Sequence, residues 1–214
     1  MSGLCYDLHQ LAVRLPLHSF PFVESTIPED GIYILFEEGE DAHGQRRIVR
    51  VGTHTGVRQL RPRLRQHFVQ QNKDRSIFRK NIGRALLHRA NDPFLKDWNL
   101  DLTTAAARRL HANRIDSGKQ QSVEALVTAH LQVRCRFVVI PVADKPRRLL
   151  WESRMISTVA ACPECQPSRT WLGLSSPISK IKDSGLWQVN ELYKESFSAS
   201  EYAAFDRMVA ETSD

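Results

Sequence analysis

The order of apolar and polar positions along the chain predicts a small antiparallel sheet wrapped by helices. "GIYILFE" (31–37) and "RRIVRVG" (46–52) have the β-branched and aromatic content of strands. "EGEDAHGQ" between them, with Gly39 and Gly44, supplies a charged turn, so the two strands pair as a hairpin. "RCRFVVIPV" (134–142) reads as a third strand of buried type.

Helical patterns fill most of the rest. In "TGVRQLRPRLRQHFVQQ" Pro62 is tolerable only in a first turn, which starts the helix near Leu60 or Arg61. Ser76 is placed to cap a second helix that spaces Ile77, Ile82, Ala85 and Leu86 on one side. The polar stretch 91–118 reads as an excursion with a short helix near Thr104–Asn113. "QSVEALVTAHLQ" continues as a further helix. "ADKPRRLLWESRMISTVAA" is a helix opened by Asp144, with Leu149, Leu150, Ile156 and Val159 as its apolar face. "PSRTWLGLSSP" is a loop, "SGLWQVNEL" is short or irregular, and "SASEYAAFDRMVAE" is a capped terminal helix. The fold class is therefore α/β, with a three-stranded antiparallel sheet flanked by helices. The expected organisation is an N-terminal extension (1–30), a body (31–190) with an insertion at about 91–120, and a C-terminal helix (191–214).

Charge sharpens this picture. Between Arg46 and Ala90 stand thirteen lysines and arginines against a single acid, Asp74, whereas the remainder holds seventeen basic residues and twenty-three acids. Solvated helix faces mix both signs, so a one-signed segment favours a polyanionic partner, nucleic acid first. No apolar run approaches the ~20 residues that cross a bilayer, and the first residues lack a charged-then-apolar leader pattern. The expectation is a cytoplasmic protein with no membrane partner. "CPEC" (Cys162, Cys165) has zinc-like spacing, but Cys5 and Cys135 are remote in sequence and make no second pair. It reads as an incidental loop feature rather than a metal site.

"GIY" (Gly31, Ile32, Tyr33), then "RVG" (Arg50, Val51, Gly52) followed by Thr53, then Arg63 and His67 four apart, and a downstream acid in a Leu-rich helix form an ordered set. This set resembles the GIY-YIG nuclease family, with a degenerate second motif. "SIFRKNIGRALL", "WLGL" and "SGLW" resemble a bacterial branch of it. The resemblance implies phosphodiester hydrolysis with one Mg²⁺ (or Mn²⁺), DNA as partner, RNA as a further possibility, and 31–190 as the catalytic body. It implies Glu152 as the metal ligand, a choice over Glu124 that the residues alone do not make. Tyr33 would be the base or the orienter of the attacking water, aided by cations that favour phenolate. Arg63 would supply a guanidinium to the phosphate, and His67, one turn on, would project from the same face.

Two positions depart from the family pattern. Arg50 replaces the second tyrosine and is able to contact phosphate but not to act as base. The asparagine expected after the glutamate helix is replaced near Thr170, with Ser168 as a further candidate. His54 is open between acid–base work and a phosphate contact. Arg58, Arg61, Arg65, Arg75, Arg79, Lys80 and Arg84 are the candidate nucleic-acid-binding residues, Arg79 and Lys80 being equally readable as a helix face beside Phe78. Trp171 and Trp187 read as core. The alternative to a nuclease is a binding module that kept the fold and basic face but lost the chemistry.

Overall fold

The computed structural model describes residues 2–212. Strands β1 (His18–Ser19), β2 (Gly31–Ala42), β3 (Gln45–Gly52) and β4 (Cys135–Pro141) form one antiparallel sheet in the order β1-β4-β2-β3. The sheet thus has four strands rather than three, because the short β1 pairs His18 with Phe137 beyond the expected edge. The hairpin turn is tighter than its sequence implies. β2 runs past Gly39 to Ala42, and only His43 and Gly44, both at positive φ (55° and 70°), make the turn.

Nine helices are seen among the described residues: α1 (Ser2–Arg14), α2 (Leu60–Phe68), α3 (Ile77–Arg89), α4 (Leu95–Trp98), α5 (Ala105–His111), α6 (Ser117–Arg134), α7 (Lys145–Ala160), α8 (Ser179–Ser184) and α9 (Ala199–Glu211). Local capping chemistry sets their starts. Ser76, Thr104, Asp116 and Asp144 each accept a backbone N–H from the first turn, and Ser198 with Glu201 forms a reciprocal capping box.

Strand alternation divides the interior into two layers. Ile32, Ile34, Phe36, Ile48, Val138 and Ile140 pack with α1, α7 and α9; Tyr33, Leu35, Val49, Phe137 and Val139 pack with α2, α3, α6, Trp171 and Trp187. A register break sits where Leu35 pairs with Arg50 but Phe36 pairs with Ile48, leaving Val49 as an extra residue. Beyond that bulge Arg50 shares the side of Tyr33. Both tryptophans are core, as expected, and both indole N–H groups donate to the buried Glu37 carboxylate.

Two expectations for helix faces are corrected. Leu149 and Leu150 face outward, and the buried side of α7 is built from Arg148, Met155, Ile156 and Val159. Arg148 reaches under the β3–α2 loop, donating to the Val142, Ala143 and His54 carbonyls, so a cation occupies a core position by bonding to backbone. Arg79, a candidate nucleic-acid contact, is fully buried. Its Nη2 lies 2.6 Å from Glu124 Oε2, and it also donates to Thr128 Oγ1 and the His67 carbonyl. It therefore ties α3 to α2 and α6 and does not reach a phosphate backbone.

Removing one member of a buried ion pair leaves an uncompensated charge. Glu124→Ala is accordingly expected to lose about 3–5 kcal/mol of unfolding free energy, measured by urea denaturation. A loss below about 1 kcal/mol, the range of an exposed pair, would contradict this placement.

Candidate active site

The two motif glycines have direct steric reasons. Tyr33 pairs across the hairpin with Gly52, and a Cβ at Gly52 would fall onto the Tyr33 ring and hydroxyl. A Cβ at Gly31 would fall onto the Ile140 carbonyl of β4. "GIY" and "RVG" therefore meet as one object: a tyrosine laid over a strand with no side chain beneath it.

Tyr33 is fully buried, and its hydroxyl lies 2.8 Å from His67 Nε2. Arg50 Nε donates to the same hydroxyl at 3.1 Å. His67 Nδ1 in turn lies 2.8 Å from Ser76 Oγ, the cap of α3. His67, also fully buried, has its pKa driven well below the usual imidazole range by burial and then by the cations of Arg63, Arg50 and Arg79. It stays neutral and orients the phenol without storing a proton. Arg50 is held further by the Trp187 carbonyl and by Gln188 Oε1 at 2.8 Å. Gln188 is a site residue that sequence reasoning missed, in a stretch read only as irregular. It supplies a carboxamide where Thr170 and Ser168 were the candidates. Ser168 instead bonds Glu40, and Thr170 is exposed beside it.

Past the end of β3 the chain forms an open cleft of about 550 Å³, lined by Thr53, His54, Thr55, Gly56, Gln59, Arg63 and Gln66. Arg63 donates to Gln66 Oε1 and to the Arg75 carbonyl, and has no acidic partner among the described residues. His54 forms part of the wall with both ring nitrogens engaged. Nδ1 lies 2.8 Å from the Gly56 carbonyl, and Nε2 accepts the Gly31 N–H at 3.3 Å. Burial is the largest cause lowering its pKa, so its first role here is to brace the loop.

Glu152 approaches from the other layer. It lies on α7, and its Oε1 accepts the Thr53 N–H at 3.0 Å, directly behind the cleft wall. Glu124 and Glu152, indistinguishable by sequence, are thus separated by structure: the first is bound to Arg79 and the second stands next to the cleft. Burial pushes the Glu152 carboxyl up to about 7, against the opposing pull of Arg50, the Thr53 N–H and Arg63. No lysine, arginine or histidine forms an ion pair with it among the described residues.

The remaining basic candidates divide by environment. Lys80 is buried, donating to the Leu100 carbonyl near Asp74. Arg84 is bound to Asn81 and Asn99, and Arg61 to the Ile27 carbonyl. Arg58 and Arg65 are exposed but pair with Glu29 and Glu24. Arg75 is exposed, its carbonyl accepts from Arg63, and it has no acidic partner among the described residues.

The GIY-YIG domain family model matches residues 14–214. The chain belongs to the GIY-YIG family, a nuclease superfamily. No curated protein and no solved structure matches it.

The raised Glu152 pKa has a defined sign. Between about 4.5 and 7 the folded state holds a proton that the unfolded chain releases, so stability falls as pH rises through that window. Melting curves should show wild type losing stability relative to Glu152→Gln across that interval. Parallel curves would contradict the burial of an unpaired carboxylate.

Proposed function

We propose that the protein is a divalent-metal-dependent endonuclease acting on DNA, with its reaction centred where Glu152 meets Thr53 and the Arg63 cleft. The observation that carries this reading is the carboxylate itself. Glu152 is partly buried, forms no ion pair with a cationic side chain among the described residues, and is anchored by one backbone N–H. Such a group gains from a hard cation, and Mg²⁺ commonly takes one or two carboxylates, leaving its other positions to water and substrate phosphate. These residues fit a one-carboxylate Mg²⁺ or Mn²⁺ site. When bound, the ion supplies Lewis-acid polarisation of the phosphate.

The chain's own groups divide the remaining work. Arg63 lines the cleft and holds phosphate, stabilising charge that grows on the equatorial oxygens, and the exposed Arg75, whose carbonyl Arg63 meets, adds a phosphate contact beside it. Tyr33 orients the attacking water through its hydroxyl, whose direction His67 fixes. Because Arg50 covers that hydroxyl, this assignment requires Arg50 Nε to leave Tyr33 for the incoming phosphate. Arg50 thereby occupies the place of the second motif tyrosine as a phosphate ligand. Arg58 and Arg65 add phosphate contacts only by exchanging their surface acids for DNA, an exchange weakened by salt.

The enclosed Tyr33 favours one second reading, a binding module whose hydroxyl never opens. Incubating plasmid with protein and Mg²⁺ separates the two. The nuclease reading expects metal-dependent cleavage, abolished in Glu152→Gln and reduced about 10²–10³-fold in Arg63→Ala. Salt-sensitive DNA binding without nicking under Mg²⁺ or Mn²⁺ would favour the module. Cleavage that survives Glu152→Gln would remove the metal assignment.

Tyr33→Phe keeps the ring over Gly52 and deletes only the hydroxyl. A water-orienting role predicts a loss of about 10²-fold in single-turnover cleavage. Near-wild-type cleavage would show that the hydroxyl serves only to hold Arg50.

A further inference from the structure

Outside the cleft, on the opposite face of the sheet, the fold gathers sulfur and imidazole from three distant segments. Cys5 comes from α1, His43 from the β2–β3 turn, and Cys162 and Cys165 from the loop after α7. The ligand atoms of Cys5, His9, His43 and Cys165 all lie within 4.8 Å of one another. Cys5 Sγ is 3.3 Å from Cys165 Sγ. His43 Nε2 is 3.4 Å from Cys165 Sγ and 3.5 Å from Cys162 Sγ. All three thiols and the His43 side chain are buried.

The geometry points to a structural zinc site formed by Cys5, His43, Cys162 and Cys165. Tetrahedral zinc, with Zn–S near 2.3 Å and Zn–N near 2.0–2.1 Å, gives polyhedron edges of about 3.8 Å between sulfurs and about 3.6 Å from sulfur to nitrogen. The His43 distances match those edges, and the Cys5–Cys165 contact is about 0.5 Å short of one. The spacing accommodates a single ion and is too small for an iron–sulfur cluster. Three thiolates and one imidazole in a tetrahedron suit zinc among common single ions.

The surroundings of the two histidines select this set. His43 Nδ1 lies 3.3 Å from Glu164 Oε2, the carboxylate–histidine arrangement that orients an imidazole toward a metal. His43 holds a left-handed backbone (φ 55°) in the hairpin turn, a conformation that histidine adopts more readily than most side chains, and the turn carries its ring to the cysteines. His9 lies as near but is already committed. Its Nδ1–H donates to the Cys5 carbonyl at 2.8 Å, and its Nε2 accepts the Ile48 N–H at 3.2 Å. It supports the site from outside the ligand set.

The ion would clip α1 and the hairpin to the C-terminal end of α7, the helix that carries Glu152. The CPEC pair, set aside on sequence because its partners are remote, thus acquires two partners through the fold.

The test is elemental analysis of the purified full chain, followed by chelation and titration of the metal-free protein with Co²⁺. About one zinc per chain, and the d–d absorption of tetrahedral thiolate-bound cobalt, are expected. Cys162→Ser and His43→Ala should each lose zinc, and His9→Gln should retain it. The cobalt spectrum of wild type decides the matter even where a variant fails to fold. A metal-free chain that takes up neither zinc nor cobalt would overturn the proposal. So would a Cys5–Cys165 disulfide found by mass spectrometry, or zinc retained in Cys162→Ser.

Discussion

The structure around the cleft depends on one hydrogen-bonded chain: Ser76 to His67, His67 to Tyr33, and Tyr33 to Arg50. It crosses from the cap of α3 through α2 to both strands of the hairpin. Each link is buried, so a missing partner would leave an unsatisfied polar group in a low-dielectric interior. The chain also explains the two glycines, because a phenol can lie across the strand only where the strand has no Cβ. The replacement of the second motif tyrosine by Arg50 then becomes intelligible. The arginine arrives by a β-bulge on the Tyr33 side and is fixed by Gln188 and the Trp187 carbonyl.

Charge is distributed differently in space than in sequence. Five members of the basic segment, Arg47, Arg50, Lys73, Arg79 and Lys80, lie inside the protein. Arg47 pairs with Glu40 and Arg79 with Glu124, acids supplied from outside the segment. A linear charge count therefore overstates the positive surface by the cations that serve as internal ties. Among the described residues Arg63 has no acidic partner and lines the cleft where the loop after β3 opens, with the exposed Arg75 next to it.

What was legible in the sequence was local. Strand alternation, the Pro62 boundary and the capping residues Ser76, Asp144 and Ser198 depend on neighbours within a few positions, and the structure reproduces them. What was not legible depended on meeting across the chain. Nothing in "RRLLWESRMIS" tells that Leu149 and Leu150 face water while Arg148 is buried, because Arg148 is held by carbonyls of the β4–α7 connection and the loop after β3. Gln188 was hidden in a segment without periodicity. The approach of Cys5 to Cys165, 3.3 Å between sulfurs, was hidden for the same reason: separation along the chain is not separation in space. The family motif was the exception, since its order along the chain carried spatial information that spacing alone did not.

A crystal structure of the protein with an uncleaved DNA duplex and Mn²⁺, located by anomalous scattering, would show whether Glu152, Arg63 and Tyr33 meet one phosphate. Manganese is expected on the Glu152 carboxylate, a phosphate against Arg63, and Arg50 Nε withdrawn from the Tyr33 hydroxyl. Manganese bound away from Glu152, or DNA seated elsewhere with the Arg50–Tyr33 contact intact, would contradict that arrangement.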